Sequence, residues 1–157
     1  MSKHDHLTGE MPRSHDLQIA LMILFFAVWI VDSFVVRVTT FLFSIVPIWS
    51  NIPVGIALLL LAVHLMRASH KDLFDNHETG IAKGGVYGRL RHPMYLGTHL
   101  FYLALATMTL SLASFVVWIV AALAYNVLAN YEEGLLEEQY GDEFLQYKSK
   151  VRKWIPL

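Results

Sequence analysis

From Leu17 to Val36 the chain is almost wholly apolar, and its one ionisable residue is Asp32. A helix rising about 1.5 Å per residue crosses a hydrocarbon core of about 30 Å in a run of that length. Asp32, near the far end, is expected to face other helices as a hydrogen-bond partner, because a carboxylate is costly against lipid. Three further apolar blocks follow at Ile52–Met66, Met94–Leu110 and Phe115–Tyr131. With 55% hydrophobic and 16% charged residues, a chain patterned in blocks rather than stripes belongs in a bilayer. The expected fold is all-α, an integral membrane bundle of about four transmembrane helices ending in an amphipathic helical tail. Residues 1–16 form a polar tail and 17–157 a single membrane domain.

The polar tail holds His4, His6 and His15 among carboxylates, but nothing fixes their geometry. No histidine–carboxylate set elsewhere has a tight ligand spacing, so no metal is expected. Cysteine is absent, which removes disulfides, thiolate chemistry and S-palmitoylation. A net charge of -1 without a long basic run excludes nucleic acid as a partner. The stretch Val38–Ser50 carries Pro47, Phe43 and Trp49 and reads as a helix extension or an interfacial segment. Pro53 reads as the start of the second span, and the glycines of the 68–90 connection as tight turns beneath a ligand.

The link Ser111–Ser114 is short enough to force the last two spans into an antiparallel hairpin. Lys71, Lys83, Arg89, Arg91, Lys148, Lys150, Arg152 and Lys153 then fall on one side, and the other two loops contain only Arg37. By the positive-inside rule both termini and the 68–90 connection face the cytoplasm.

Polar chemistry concentrates at the start of the third span, in GVYGRLRHPMYLG, residues 85–97. Pro93 suits the first helical position, which places Arg91 and His92 at a helix mouth able to hold an anion. His92, Tyr95 and His99 share one face at offsets of three and seven. On the fourth span Asn126, Asn130, Glu133 and Glu137 share another, with Glu132 on an adjoining stripe. The hairpin brings His92 and the Glu132–Glu133 pair together. An ion pair of Arg91 with either glutamate, tying the helices without catalysis, is the structural alternative. Gly141 stops the helix and Asp142 caps a last short one, and across that break Leu136, Tyr140, Phe144, Tyr147 and Val151 recur as an amphipathic tail that lies on the bilayer or folds over the mouth.

GVYGRLRHPMYLG, followed after a hydrophobic hairpin by YEEGLLEEQYGDEFLQYKSKVRKWIP, resembles the C-terminal half of the isoprenylcysteine carboxyl methyltransferase and phospholipid methyltransferase superfamily. The resemblance covers about residues 80–157. It implies a multi-pass membrane enzyme that takes a methyl group from S-adenosylmethionine in a cytoplasm-facing pocket closed by the C-terminal segment. Carried over by position, His92, Tyr95, Gly97, Glu132 and Glu133 form the cofactor site, joined by Asn130 just ahead of the acidic pair. The donor's carboxylate suits Arg91, His92 and the helix N-terminus, and its ammonium and ribose hydroxyls suit the two glutamates.

Arg91, His92 and Lys150 are the catalytic candidates. A carboxylate acceptor needs only cations to position it, Arg91 and Lys150. An amine acceptor needs a base, from His92, His99 or Glu132. The expected partners are the lipid bilayer and a lipophilic small molecule or prenylated substrate. Two alternatives remain open: a membrane reductase of the sterol type using NADPH, and a non-enzymatic bundle.

Overall fold

A computed structural model describes residues 13–74 and 80–154, and among them every regular element is helical. Most of the polar tail, including His4 and His6, and the Ile155-Pro156 ending lie outside the described residues. The long helices are α1 (Ser14–Ile30), α2 (Ile48–Phe74), α3 (Pro93–Thr109) and α4 (Leu112–Tyr140), and a short α5 (Asp142–Lys150) follows. The segments Ser14–Val36, Ile48–Leu73 and Leu112–Tyr140 are long and apolar enough to cross a membrane. α3 has 17 residues and at about 1.5 Å per residue is shorter than a hydrocarbon core of about 30 Å. It packs against α2 along its length, and it carries the more buried residues, among them His99, Tyr102, Ala104 and Ala106.

Several boundaries differ from the sequence expectation. α1 begins at Ser14 rather than Leu17. α2 begins at Ile48, so Pro53 lies inside it instead of opening it, at the sixth position, where its missing N–H leaves the Trp49 carbonyl without an intrahelical donor. The helix also runs on to Phe74, shortening the polar connection. The α3–α4 link is Leu110 and Ser111 alone: Leu110 turns the chain at φ 51°, and the Ser111 hydroxyl caps α4 by accepting from Ser114 N at 3.1 Å.

At this end of the bundle α1 widens into a π-helical stretch, Val31–Val36, which stops at Arg37 in the left-handed region with φ 56°. The buried Asp32 carboxylate accepts from Thr39 N at 3.0 Å, Thr39 Oγ1 at 2.5 Å and Ser111 Oγ at 2.5 Å. Thr39 Oγ1 in turn accepts from Ala113 N. Asp32 is thus the interhelical acceptor that its position in an apolar run demands.

Between α2 and α3 the backbones approach closely over small residues. A Cβ on Gly97 would stand 2.6 Å from Met66 Cγ and 3.3 Å from Ala62 O, and one on Gly55 would stand 2.4 Å from Met108 Cγ and 3.1 Å from Ala104 O. Gly55 and Ala62 on one helix therefore meet Ala104 and Gly97 on the other, an antiparallel small-residue seam suited to helices in lipid. The Asn51 amide closes the seam by donating to Met108 O at 2.9 Å.

On the opposite side of α3, Phe25 of α1 stacks on Tyr102 at 4.3 Å within a core shared with Leu21, Ala121, Tyr125 and Leu128. The outward faces of α1, α2 and α4 expose Ile23, Leu60, Leu123 and Val127, as lipid contact requires. α5 folds back over the polar end: Phe144, Tyr147 and Val151 pack with Leu136, Tyr140 and Ile81.

Replacing Gly97 by leucine forces the seam apart. We expect a loss of about 1–3 kcal/mol, typical of overpacking, read as a lower thermal midpoint in detergent. Met66→Ala in the same chain should recover part of it.

Candidate functional site

His92 caps α3 with Pro93 at the first helical position, and the antiparallel α4 brings its acidic pair alongside. His92 Nε2 lies 3.0 Å from Glu133 Oε1, and His92 Nδ1 lies 3.7 Å from Glu132 Oε2. Tyr95, one turn along, donates its hydroxyl to Glu132 Oε1, and its ring stacks parallel to the His92 imidazole. The juxtaposition of His92 with both glutamates, expected from the hairpin, is present.

Glu133 is 5% exposed and surrounded by cations. Arg91 donates Nε to Oε1 at 3.0 Å and Nη2 to Oε2 at 3.4 Å, and Lys148 Nζ stands 3.6 Å from Oε2. The remaining Arg91 bonds go to the chain's own carbonyls, from Nη1 to Lys148 O at 3.0 Å and to Val151 O at 2.6 Å. Such charge-assisted bonds inside a partly dry site fix geometry strongly. Arg91 is therefore a tether between α3, α4 and the end of α5, and its ion pair with Glu133 exists as the structural alternative required.

After α5 the chain becomes an extended strap, 151–154, bridged in parallel to Leu90, with Arg91 N donating to Arg152 O at 2.9 Å. The strap lies on the polar stripe of α4. Lys153 Nζ donates to Asn126 Oδ1 at 2.9 Å and to Asn130 Oδ1 at 2.6 Å. Trp154 Nε1 donates to Asn126 Oδ1 at 3.2 Å, and Lys148 reaches Glu137 at 3.3 Å. The indole of Trp154 stands 5.7 Å from the His92 ring and 5.9 Å from the His99 ring. His99 is buried beside Tyr125, and its Nδ1 has no hydrogen-bond partner.

The other predicted site residues fall at the margins. Gly97 faces α2 in the small-residue seam, and Asn130 is exposed and holds Lys153. Lys150 ends α5 exposed to solvent, whereas Lys148 and Lys153 turn towards the cluster. Gly85, at φ 52°, makes room for an acid of α2 and not for a ligand: its Cβ would stand 1.9 Å from Asp72 Oδ2, which accepts from Val86 N. Asn126, already on the polar stripe of the fourth span, holds the strap, whereas sequence reasoning missed Lys148, Lys153 and Trp154. Their only advance signal was the cation-rich segment 148–154, whose extended tail turns Lys153 and Trp154 inward and Arg152 outward.

Burial pushes the His92 imidazole below the ordinary histidine range; the Glu133 hydrogen bond and charge oppose this, and the charges of Lys153 and Arg91 reinforce it. Burial likewise lowers Lys153. A neutral His92 that donates from Nε2 to Glu133 leaves the Nδ1 lone pair towards Glu132.

The fold and this cluster define a membrane-embedded helical protein whose polar chemistry is gathered at one end of the bundle and covered by its own C-terminal strap. The family model for phospholipid methyltransferase matches residues 54–143, more than half of the chain, and the protein belongs to that family. The match spans α2, α3, α4 and the start of α5, and so includes Arg91, His92, Glu132 and Glu133. No curated protein matches the chain.

Because folding depresses the His92 pKa, the unfolded chain binds a proton there that the native state does not. The associated stability is present above the unfolded value near 6.5 and is lost as pH falls from there towards the native pKa. Thermal midpoints should drop below about pH 6.5, and His92→Gln should reduce the drop relative to wild type.

Proposed function

We propose that the protein is a methyltransferase acting at the cytoplasmic membrane face, drawing on S-adenosylmethionine and serving a lipid-like acceptor of phospholipid or isoprenylcysteine type. The observation that carries the reading is the convergence of Glu132, His92 Nδ1 and Tyr95 at the α3–α4 end, in a chain of this family. Most of the Lys and Arg residues gather at that end, which supports a cytoplasmic orientation.

The donor set fits the chemistry. S-adenosylmethionine, when bound, supplies a methyl group activated by a sulfonium cation. Glu132 Oε2 and His92 Nδ1 are two acceptors 3.7 Å apart, and a positively charged N–H donor such as an ammonium satisfies both. The half-exposed Lys148 and Lys153 provide positive charge for a carboxylate. Tyr95, Tyr125 and Trp154 provide aromatic faces for a cation and for a base. Arg91 and Glu133 are positioning residues, holding His92 and the strap in place, as Gly97 holds α3 against α2. Asn130 seats Lys153, and Lys150 guides an acidic acceptor from the surface.

Methyl transfer needs alignment and dryness more than covalent help. The strap excludes water and the hairpin fixes orientation. An acceptor carboxylate arrives already ionised. An amine acceptor gives up a proton, and the buried Nδ1 of His99 is the group on the same helix face with capacity to receive it.

Detergent-purified protein should bind labelled S-adenosylmethionine and not NADPH, and should transfer label into membrane lipid extracts. Glu132→Gln should weaken donor binding by about tenfold or more, in line with loss of a charge-assisted bond, while the thermal midpoint stays near wild type. Glu133→Gln should lower the midpoint as well. Binding of NADPH alone, or unchanged donor affinity in Glu132→Gln, would overturn the reading.

A further inference from the structure

The end of the bundle away from His92 contains a polar recess for which methyl transfer has no use. A cavity of about 310 Å³ opens there, lined by Ser33, Arg37, Thr40 and Thr109 with Phe34 and Phe41 among its apolar walls. It lies where the span Ser14–Val36 ends and α3 finishes, the level at which a bilayer presents its headgroups.

The charge in the recess points to a ligand. Arg37 lines it from an exposed position, and among the described residues its guanidinium has no hydrogen-bond or ion-pair partner. Asp32, five residues back, turns its carboxylate to Thr39 and Ser111 instead. Phe34, Phe41 and Phe43 of its lining are exposed, an aromatic fringe of the kind that settles at a membrane interface.

We propose that this recess binds the phosphate of a membrane phospholipid from the leaflet opposite the candidate methyl-transfer site. The Arg37 guanidinium meets the phosphate as a fork of donors. Phe34 and Phe41 line the start of the acyl chains. A lipid phosphodiester carries a single negative charge, which one arginine balances, and its apolar tail matches the walls. Free inorganic phosphate leaves charge uncompensated and the aromatic wall unused. The bound lipid would brace the widened end of α1 against the α3 terminus, next to the Asp32 lock.

The test is native mass spectrometry of the full chain released from detergent. Phosphatidylglycerol is titrated in, beside a diacylglycerol with the same acyl chains and beside inorganic phosphate as competitor. Wild type should retain one phosphatidylglycerol saturably. Arg37→Gln should weaken retention by about tenfold. Lys71→Gln, which removes an exposed cation at the other end, should leave retention unchanged. Arg37→Lys, which keeps the charge, should hold affinity between wild type and Arg37→Gln and remains informative if the glutamine variant is unstable. Retention of diacylglycerol equal to phosphatidylglycerol, retention insensitive to both Arg37 variants, or displacement by equimolar inorganic phosphate would overturn the proposal.

Discussion

A buried carboxylate needs partners, and Glu133 has drawn the polar end of this protein around itself. Arg91 forks onto it, His92 donates to it and Lys148 stands behind it, so one side chain of α4 ties together the start of α3 and the end of α5. Leaving such a charge without one of its partners costs about 3–5 kcal/mol, which is large against the whole stability of a small domain. Charge neutralisation and strap placement are therefore one event. The guanidinium that answers Glu133 also accepts its orientation from Lys148 O and Val151 O.

This arrangement divides the acidic pair. Glu133 is held by Arg91, His92 and Lys148, whereas the side chain of Glu132, 16% exposed, sits with Tyr95 and faces the neutral nitrogen of His92. Two adjacent glutamates on a helix point about 100° apart, so the two meet different neighbours. Arg91, a natural choice for an anion when seen as a bare helix mouth, belongs to the scaffold by the same logic.

Much of this was legible in the sequence because membranes impose coarse rules. Apolar run length gave the spans, the short link gave the hairpin, and helical offsets placed His92 beside the glutamates. The amphipathic spacing of Leu136 to Val151 left two dispositions open, on the bilayer or over the polar end, and the segment is folded down onto the polar end. What escaped was the allocation of partners. Arg91 has five donors, and no spacing rule says whether they meet a ligand or the carbonyls of α5. A place before Val151 in the family-like ending points to Lys150 rather than Lys148, but a two-residue offset on a short helix decides which faces inward only once its rotation is known, and Lys148 is the one turned to the cluster. Gly85 looked like a ligand turn because Asp72, its true neighbour, lies thirteen residues earlier in the sequence, on α2.

The seam between α2 and α3 bears on how the protein can move. Gly55 against Ala104 and Ala62 against Gly97 leave almost no clearance, so sliding either helix by a turn would drive a larger side chain into backbone. These two helices act as a rigid spine that keeps the two polar ends at a fixed separation. The last turns of α4 and the ribbon beyond α5 lie outside that spine, joined to it through Arg91, whose side chain and backbone N–H both reach the ribbon's carbonyls.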